Sequence, residues 1–265
     1  MTILALYFSG TGNTKFVVDT MCQEFKKYEI DMTAISIETF TEDDIPKIAL
    51  ADYVLVAYPV HGSMAPLNMW RFIKNLAPHL EDKKAIVIAT QLMFSGDGGA
   101  YMARILRKCH AQIVSIEHFN MPSNLADVKL FKLKNGKEAK AVVDVTRQRI
   151  ELYCMDFAKN ILVKRGDSVS ALLIGALNRV PFSKWERKLA RNVKINLNTC
   201  TRCEKCVLSC PVQNLRLEDG RIMQSCKCII CYRCVNLCPT KSISILSKKP
   251  PIKQYEGIAH LYGGE

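Results

Sequence analysis

The nine cysteines gathered between Cys200 and Cys238 constrain this chain more than any other feature. Eight fall into two identical runs, Cys200-x2-Cys203-x2-Cys206-x3-Cys210-Pro211 and Cys228-x2-Cys231-x2-Cys234-x3-Cys238-Pro239, offset by a 28-residue period. Two-residue gaps turn three thiolates into one pocket, and the proline after the fourth cysteine leads the chain away. This is the spacing of the bacterial iron–sulfur run whose fourth cysteine ligates the other cluster. One [4Fe–4S] cluster is therefore expected on Cys200, Cys203, Cys206 and Cys238, and a second on Cys228, Cys231, Cys234 and Cys210. Val207, Leu208, Ile229, Ile230 and Val235 are expected to keep water from them. A zinc ribbon instead pairs two C-x2-C knuckles across a long gap. Cys226 has the wrong gap to Cys231 and reads as a spare thiol, while Cys22, Cys109 and Cys154 sit on helical patterns as small core residues.

The 265 residues suffice for a medium domain and a small one, and 49% of them are apolar. The chain shows neither a secretory leader nor an apolar run of bilayer length, so the expected address is the cytoplasm. In that setting clustered cysteines mean metal ligation, not disulfides. The formal charge is +12, and residues 151–199 are the most one-sided stretch, with nine Lys/Arg against four Asp/Glu. Two clusters with their thiolates and a flavin phosphate would bring the total down to roughly +6. Charge alone thus makes no case for nucleic-acid binding, and the aromatic residues are not interleaved with the basic ones as base-stacking platforms would be.

The first 165 residues alternate strand and helix patterns. Strands are expected at residues 3–9, 32–37, 53–58, 85–90 and 113–119, the third and fourth nearly continuous apolar runs, as in a parallel sheet covered on both faces. Helical periodicity follows at 14–28, 67–76, 100–108 and about 138–163. This predicts a doubly wound α/β sheet over 1–165. A connector (166–198) carries Phe182, Trp185, Leu189 and Val193 at helical spacing among Lys184, Arg187, Lys188, Arg191 and Lys194. Such a basic amphipathic helix is also the pattern of a peripheral membrane anchor. The preferred reading packs Trp185 and Leu189 inward. The iron–sulfur domain is expected over 199–248 and a tail over 249–265.

Three loops follow strands at the edge where such sheets bind ligands. Ser9-Gly10-Thr11-Gly12-Asn13-Thr14 places small and hydroxyl-bearing residues at a helix N-terminus, where backbone N–H groups face a phosphate. It lacks both Gly-Lys-Ser/Thr and G-x-G-x-x-G, which excludes a nucleotide P-loop and a dinucleotide fingerprint. Pro59-Val60-His61-Gly62-Ser63 and Leu92-Met93-Phe94-Ser95-Gly96-Asp97-Gly98-Gly99 add apolar walls and backbone amides suited to a flat heterocycle.

On these residues the N-terminal part resembles a short-chain flavodoxin. Ser9–Thr14 matches that family's FMN-phosphate loop, and Ser95-Gly96-Asp97-Gly98 is similar to its second flavin loop. Residues 200–239 resemble a two-cluster bacterial ferredoxin, and the whole chain is similar to the flavodoxin–ferredoxin fusion proteins of anaerobic bacteria, the EFR-type family. The resemblance implies sheet order 2-1-3-4-5, bound FMN, two [4Fe–4S] clusters, and a peptide next to the flavin, here at Gly62, that flips on reduction. It implies an electron carrier serving redox proteins, such as acidic ferredoxins or oxidoreductases, more than a substrate-converting enzyme. The alternative is an FMN-dependent reductase of a small organic acceptor, for which His61, Asp97, Tyr101 and His118 are the nearby acid–base candidates.

Overall fold

A computed structural model describes residues 1–262; positions 263–265 of the expected tail lie outside the described residues. The chain divides into two compact units, one of Met1–Met121 with Ala141–Val180 and the other of Pro122–Lys140 with Pro181 onward.

The first unit runs β1 (Thr2–Tyr7), α1 (Asn13–Lys26), β2 (Asp31–Ser36), α2 (Ile45–Leu50), β3 (Tyr53–Pro59), α3 (Leu67–Asn75), β4 (Lys84–Gln91), α4 (Gly98–Lys108) and β5 (Gln112–Asn120). All neighbouring strands pair in parallel, in the order β2-β1-β3-β4-β5. The five expected strands are all present, and the sheet has the expected flavodoxin-like topology. The two continuous apolar runs are the inner strands: Val54–Tyr58 and Ala85–Thr90 are buried without interruption. Burying each such aliphatic side chain contributes about 1.5–3 kcal/mol, which is why these strands read so clearly. The six-residue α2, opened by Pro46 in its first turn, is too short to show periodicity and was not expected.

A long helix, α5 (Gly136–Ala158), stops five residues before the expected end. Asn160 adopts a left-handed conformation (φ 59°), a usual way to end a helix. Residues 163–165 then pair with Ile116 of β5, Ile116 N–H donating to the Val163 carbonyl and Arg165 N–H to that of Ile116. The connector contains α6 (Val169–Leu189), with Pro181 inside it. Leu189 packs on the core of the second unit, but Trp185 is 62% exposed, against the expectation that both turn inward. The side chain of Arg187 lies outside the described residues.

The second unit holds β6 (Lys194–Ile195), α7 (Lys205–Leu208), β7 (Leu215–Glu218), β8 (Arg221–Gln224), α8 (Arg233–Leu237) and β9 (Ile243–Ser244). Strands β6 and β9 pair antiparallel, as do β7 and β8. The β7–β8 hairpin turns on Asp219-Gly220, both at positive φ, the Asp-Gly signature of a tight two-residue turn. Val193, Leu215, Ile222, Ile230, Tyr232, Val235, Ile243 and Ile245 form its core together with Cys206, Cys234 and Cys238.

Candidate redox sites

In the second unit the cysteine repeat is a repeat of backbone conformation as well as of sequence. Arg202 and Ile230 (φ 58° each), Glu204 and Tyr232 (56° and 62°), and Gln213 and Lys241 (50° and 53°) are left-handed, each pair 28 residues apart. A left-handed non-glycine residue costs on the order of 1 kcal/mol or more, most of all a β-branched one such as Ile230. The chain accepts this at matching positions because a loop with two-residue gaps must reverse its curl at each step to face successive thiols inward. Glu204 and Tyr232 then cap the short helices α7 and α8, which carry Cys206 and Cys234.

Two small cavities result. Cys200, Cys203, Cys206 and Cys238 line one; Cys210, Cys228, Cys231 and Cys234 line the other. The sequence spacing divides the eight cysteines in the same way. Cys226, exposed and left-handed (φ 57°), lines neither cavity. Among the described residues no three His, Cys, Asp or Glu side chains converge tightly enough to hold a single metal ion. Four thiols around a cavity, in this repeated spacing, fit a polynuclear cluster.

Backbone amides aim at these sulfurs, two of them one 28-residue period apart. Asn214 N–H donates to Cys210 Sγ and Ser242 N–H to Cys238 Sγ, both at 3.2 Å, and Ile230 N–H donates to Cys228 Sγ at 3.3 Å. Such bonds are among the terms that set a cluster's potential. Burial pushes the thiols of Cys206 and Cys228 up, to about 11 and about 12, and raises Cys234 strongly. The Lys205 N–H bond pulls exposed Cys203 down. Metal ligation overrides these values, because a coordinating thiol is deprotonated outright. Ile229, Ile230 and Val235 are buried as expected, whereas Leu208 is 84% exposed and shields nothing. It lies on the last residue of α7, a helix one turn long that buries only Cys206.

Sequence reasoning missed Asp127. Its carboxylate is buried, with Oδ2 accepting N–H bonds from Ile245, Leu246 and Ser247 at 2.7, 2.9 and 3.0 Å. Oδ1 accepts the hydroxyl of Tyr232, which lies between Cys231 and Cys234. The residue lies in an unpatterned stretch before α5, and nothing in its sequence neighbourhood signals the partner.

In the first unit the expected flavin loops lie at the carboxyl ends of β1, β3 and β4. Gly12 caps α1 at φ 95°, where an L side chain is strained, and makes no side-chain cap bond. Space beyond it is open, since a Cβ there would meet nothing within 4 Å. No acidic residue stands in the first turn of α1, as an anion site requires. Ser9 Oγ accepts the Lys15 N–H, tying the loop to the helix. Ser9, Gly10, Thr11 and Asn13 line this turn, but the Thr14 hydroxyl is buried and shares a 2.8 Å bond with Thr90 of β4.

After Pro59, Val60 N–H bonds the Thr90 carbonyl, and His61 and Met64 exchange two N–H···O bonds of 2.9 Å across Gly62 and Ser63. Both inner residues are left-handed (φ 53° and 61°), so this is a tight primed turn. Ser63 is buried and its Oγ has no hydrogen-bond partner, which suits a site that awaits a polar ligand. In the third loop Leu92 is half-buried, and Met93 and Phe94 are exposed (63% and 65%), an apolar surface at the sheet edge. Ser95 bonds Gln91, and Tyr58 donates to the Gly98 carbonyl. Gly99 N–H donates to Nε2 of His118 at 2.9 Å, and burial holds that imidazole down at about 4, hence neutral at pH 7. Asp97 is fully buried, ion-paired to Arg104 and to Arg179. Two of the four acid–base candidates, Asp97 and His118, are thus engaged within the protein.

The loops of the first unit and the cysteines of the second match two family models. Residues 4–125 match the flavodoxin domain, and residues 192–239 match the 4Fe–4S dicluster domain. Both domains therefore stand in one chain, which points to electron transfer with flavin and iron–sulfur. No curated protein matches the sequence. Among solved structures the chain is similar to a flavodoxin from the domain Archaea, with 16% identity over 61% of this chain and 99% of that one (TM-score 0.45). It is also similar to the Streptococcus pneumonia TIGR4 flavodoxin, with 19% identity over 60% and 99% (TM-score 0.42). A third is two-electron reduced Megasphaera elsdenii flavodoxin, with 20% identity over 55% and 98% (TM-score 0.40). Among the described residues no helix is long and apolar enough to cross a membrane.

Proposed function

We propose that this chain is an electron-transfer module of the flavodoxin–ferredoxin fusion type, holding one FMN and two [4Fe–4S] clusters and serving low-potential redox proteins. The observation that eight cysteines line two four-thiol cavities, each taking one cysteine from the other run, carries the cluster count. Cys200, Cys203, Cys206 and Cys238 would hold one cluster and Cys228, Cys231, Cys234 and Cys210 the other, while Ser9–Thr14 would hold the FMN phosphate and the two later loops its ring. When bound, clusters supply single-electron steps and a flavin one- or two-electron steps. The chain's own part is to hold thiolates in a largely apolar core, direct N–H groups at sulfur, and present phosphate-competent amides at α1. Burial of Asp97 and the neutral, engaged His118 favour a carrier over a reductase. Anaerobic spectroelectrochemistry with iron analysis tests the cofactor set. Two cluster couples and one flavin are expected, and iron for a single cluster would overturn the count.

Exposed Lys241, Lys248, Lys249 and Lys253 of the second unit suit an acidic redox partner. Reversing their charge is expected to slow reduction by an acidic ferredoxin and flatten its salt dependence. Unchanged kinetics would reject that docking surface.

A further inference from the structure

The helix α6 begins beyond the stretch that resembles a flavodoxin, yet its first three turns are built into the first unit at the expected flavin loops. Gly96 of the third loop and Gly175 of α6 meet backbone to backbone. A Cβ on Gly96 would stand 2.6 Å from the Gly175 nitrogen, and one on Gly175 would stand 1.6 Å from Asp97 Oδ1. Only a glycine pair permits this approach. One turn further on, Arg179 lays its guanidinium along the buried carboxylate of Asp97, with Nη1···Oδ1 and Nη2···Oδ2 both at 3.0 Å. The same Nη1 donates to the Ser63 carbonyl at 2.9 Å, and the guanidinium stands 5.2 Å over the ring of Tyr101. Its side chain is only 16% exposed.

We propose that Arg179 is a positioning residue of the flavin site, locking the Gly62–Ser63 turn to the Asp97 loop from the connector helix. The inference rests on the reading of these loops as an FMN site. Three features carry it. Arg104 also pairs with Asp97, so a second arginine is not needed merely to neutralise one carboxylate. A bidentate fork fixes direction as well as charge, which lysine cannot copy. The third acceptor, the Ser63 carbonyl, belongs to a turn whose two inner residues are both left-handed, one of them not glycine. Such a turn holds its shape only when its surroundings determine it. If this peptide relaxes, the bond to Arg179 breaks, so arginine and turn geometry are coupled.

The test uses the full-length protein with its clusters, stripped of and re-titrated with FMN. Arg179→Gln combined with Asp97→Asn removes one buried charge of each sign, which keeps the net charge, and leaves only the part-exposed Arg104 without its partner. The double variant is expected to melt within a few degrees of the unsubstituted protein, to bind FMN at least tenfold more weakly, and to shift the potential of the bound flavin. Because net charge is unchanged, that shift reports geometry. Arg179→Lys should restore part of the affinity, since it keeps one donor to Ser63 or Asp97 and loses the fork. FMN affinity and flavin potential both unchanged in a folded double variant would overturn the proposal. Failure of the unsubstituted protein to bind FMN would overturn the flavin reading itself, and this inference with it.

Discussion

The two units solve the problem of a stable interior by different means. The first relies on five parallel strands whose inner members are buried along all but their end residues, and its helices range from six residues to more than twenty. The second has strands of two and four residues and helices of four and five, gathered around cysteines that are themselves part of the core. Helices of one turn do not stand alone, because nucleation costs more than so few hydrogen bonds return. The contrast leads to the expectation that metal is optional for folding in the first unit and needed in the second. Chelation under reducing conditions is therefore expected to have the largest effect of any perturbation. It should unfold the second unit and leave the melting of the first within a few degrees. Differential scanning calorimetry with far-ultraviolet dichroism would show this, and a cluster-free second unit that still melted cooperatively would break the comparison.

The next effect falls on a buried polar anchor of the second unit, Asp127. Asp127→Ala would orphan three backbone N–H groups and the Tyr232 hydroxyl, each worth about 1 kcal/mol or more when buried. A loss of about 4 kcal/mol is expected for the holo-protein in denaturant titration. Tyr232→Phe removes only one of the four bonds and should cost about 1 kcal/mol. Equal costs for the two variants would mean that the N–H cradle contributes nothing.

In the first unit the sensitive polar group is His118. The unfolded imidazole binds a proton below its ordinary value of 6.5, the folded one only below about 4, because burial and then Arg149 and Arg165 oppose the charge. Between these values the unfolded chain holds more protons, so stability rises with pH. The contribution is complete above 6.5 and is lost as the pH falls through the window to about 4, at most about 3 kcal/mol over the whole range. His118→Gln can still accept the Gly99 N–H but does not titrate, so it should remove that part of the pH slope. An unaltered slope in the melting of the first unit would show that His118 is not its source.

These perturbations also mark what could be read from the sequence. The sheet was legible because β3 and β4 are continuous apolar runs between turn signals, and the cysteine pockets because ligand spacing is a local property. Asp127 and Arg179 were not legible. Each acts on residues that the fold brings to it, 105 to 120 positions away for Asp127 and 82 to 116 for Arg179. Thr14 was expected in the phosphate loop, but the turn of its hydroxyl toward Thr90 depends on where β4 runs. Leu208 and Trp185 misled for the opposite reason: apolar character implies burial only when a surface is there to receive it.

The smallest effect concerns the two halves of the cysteine repeat, which share backbone angles but not surroundings. Ile229 and Ile230 are buried beside buried Cys231, whereas their counterparts Thr201 and Arg202 are exposed, as is Cys203, the counterpart of Cys231. Reduction adds negative charge, which a dry site disfavours and a nearby cation favours. The cluster held by Cys228, Cys231 and Cys234 is thus expected to have the lower potential. Thr201→Ile with Arg202→Ile transplants the drier neighbours, and the backbone accepts it because Ile230 already adopts the conformation of Arg202 (φ 58° in both). The higher couple should then move down toward the lower one in a redox titration followed by electron paramagnetic resonance. Two couples that coincide before any substitution would show that this difference in solvent exposure does not set the potentials.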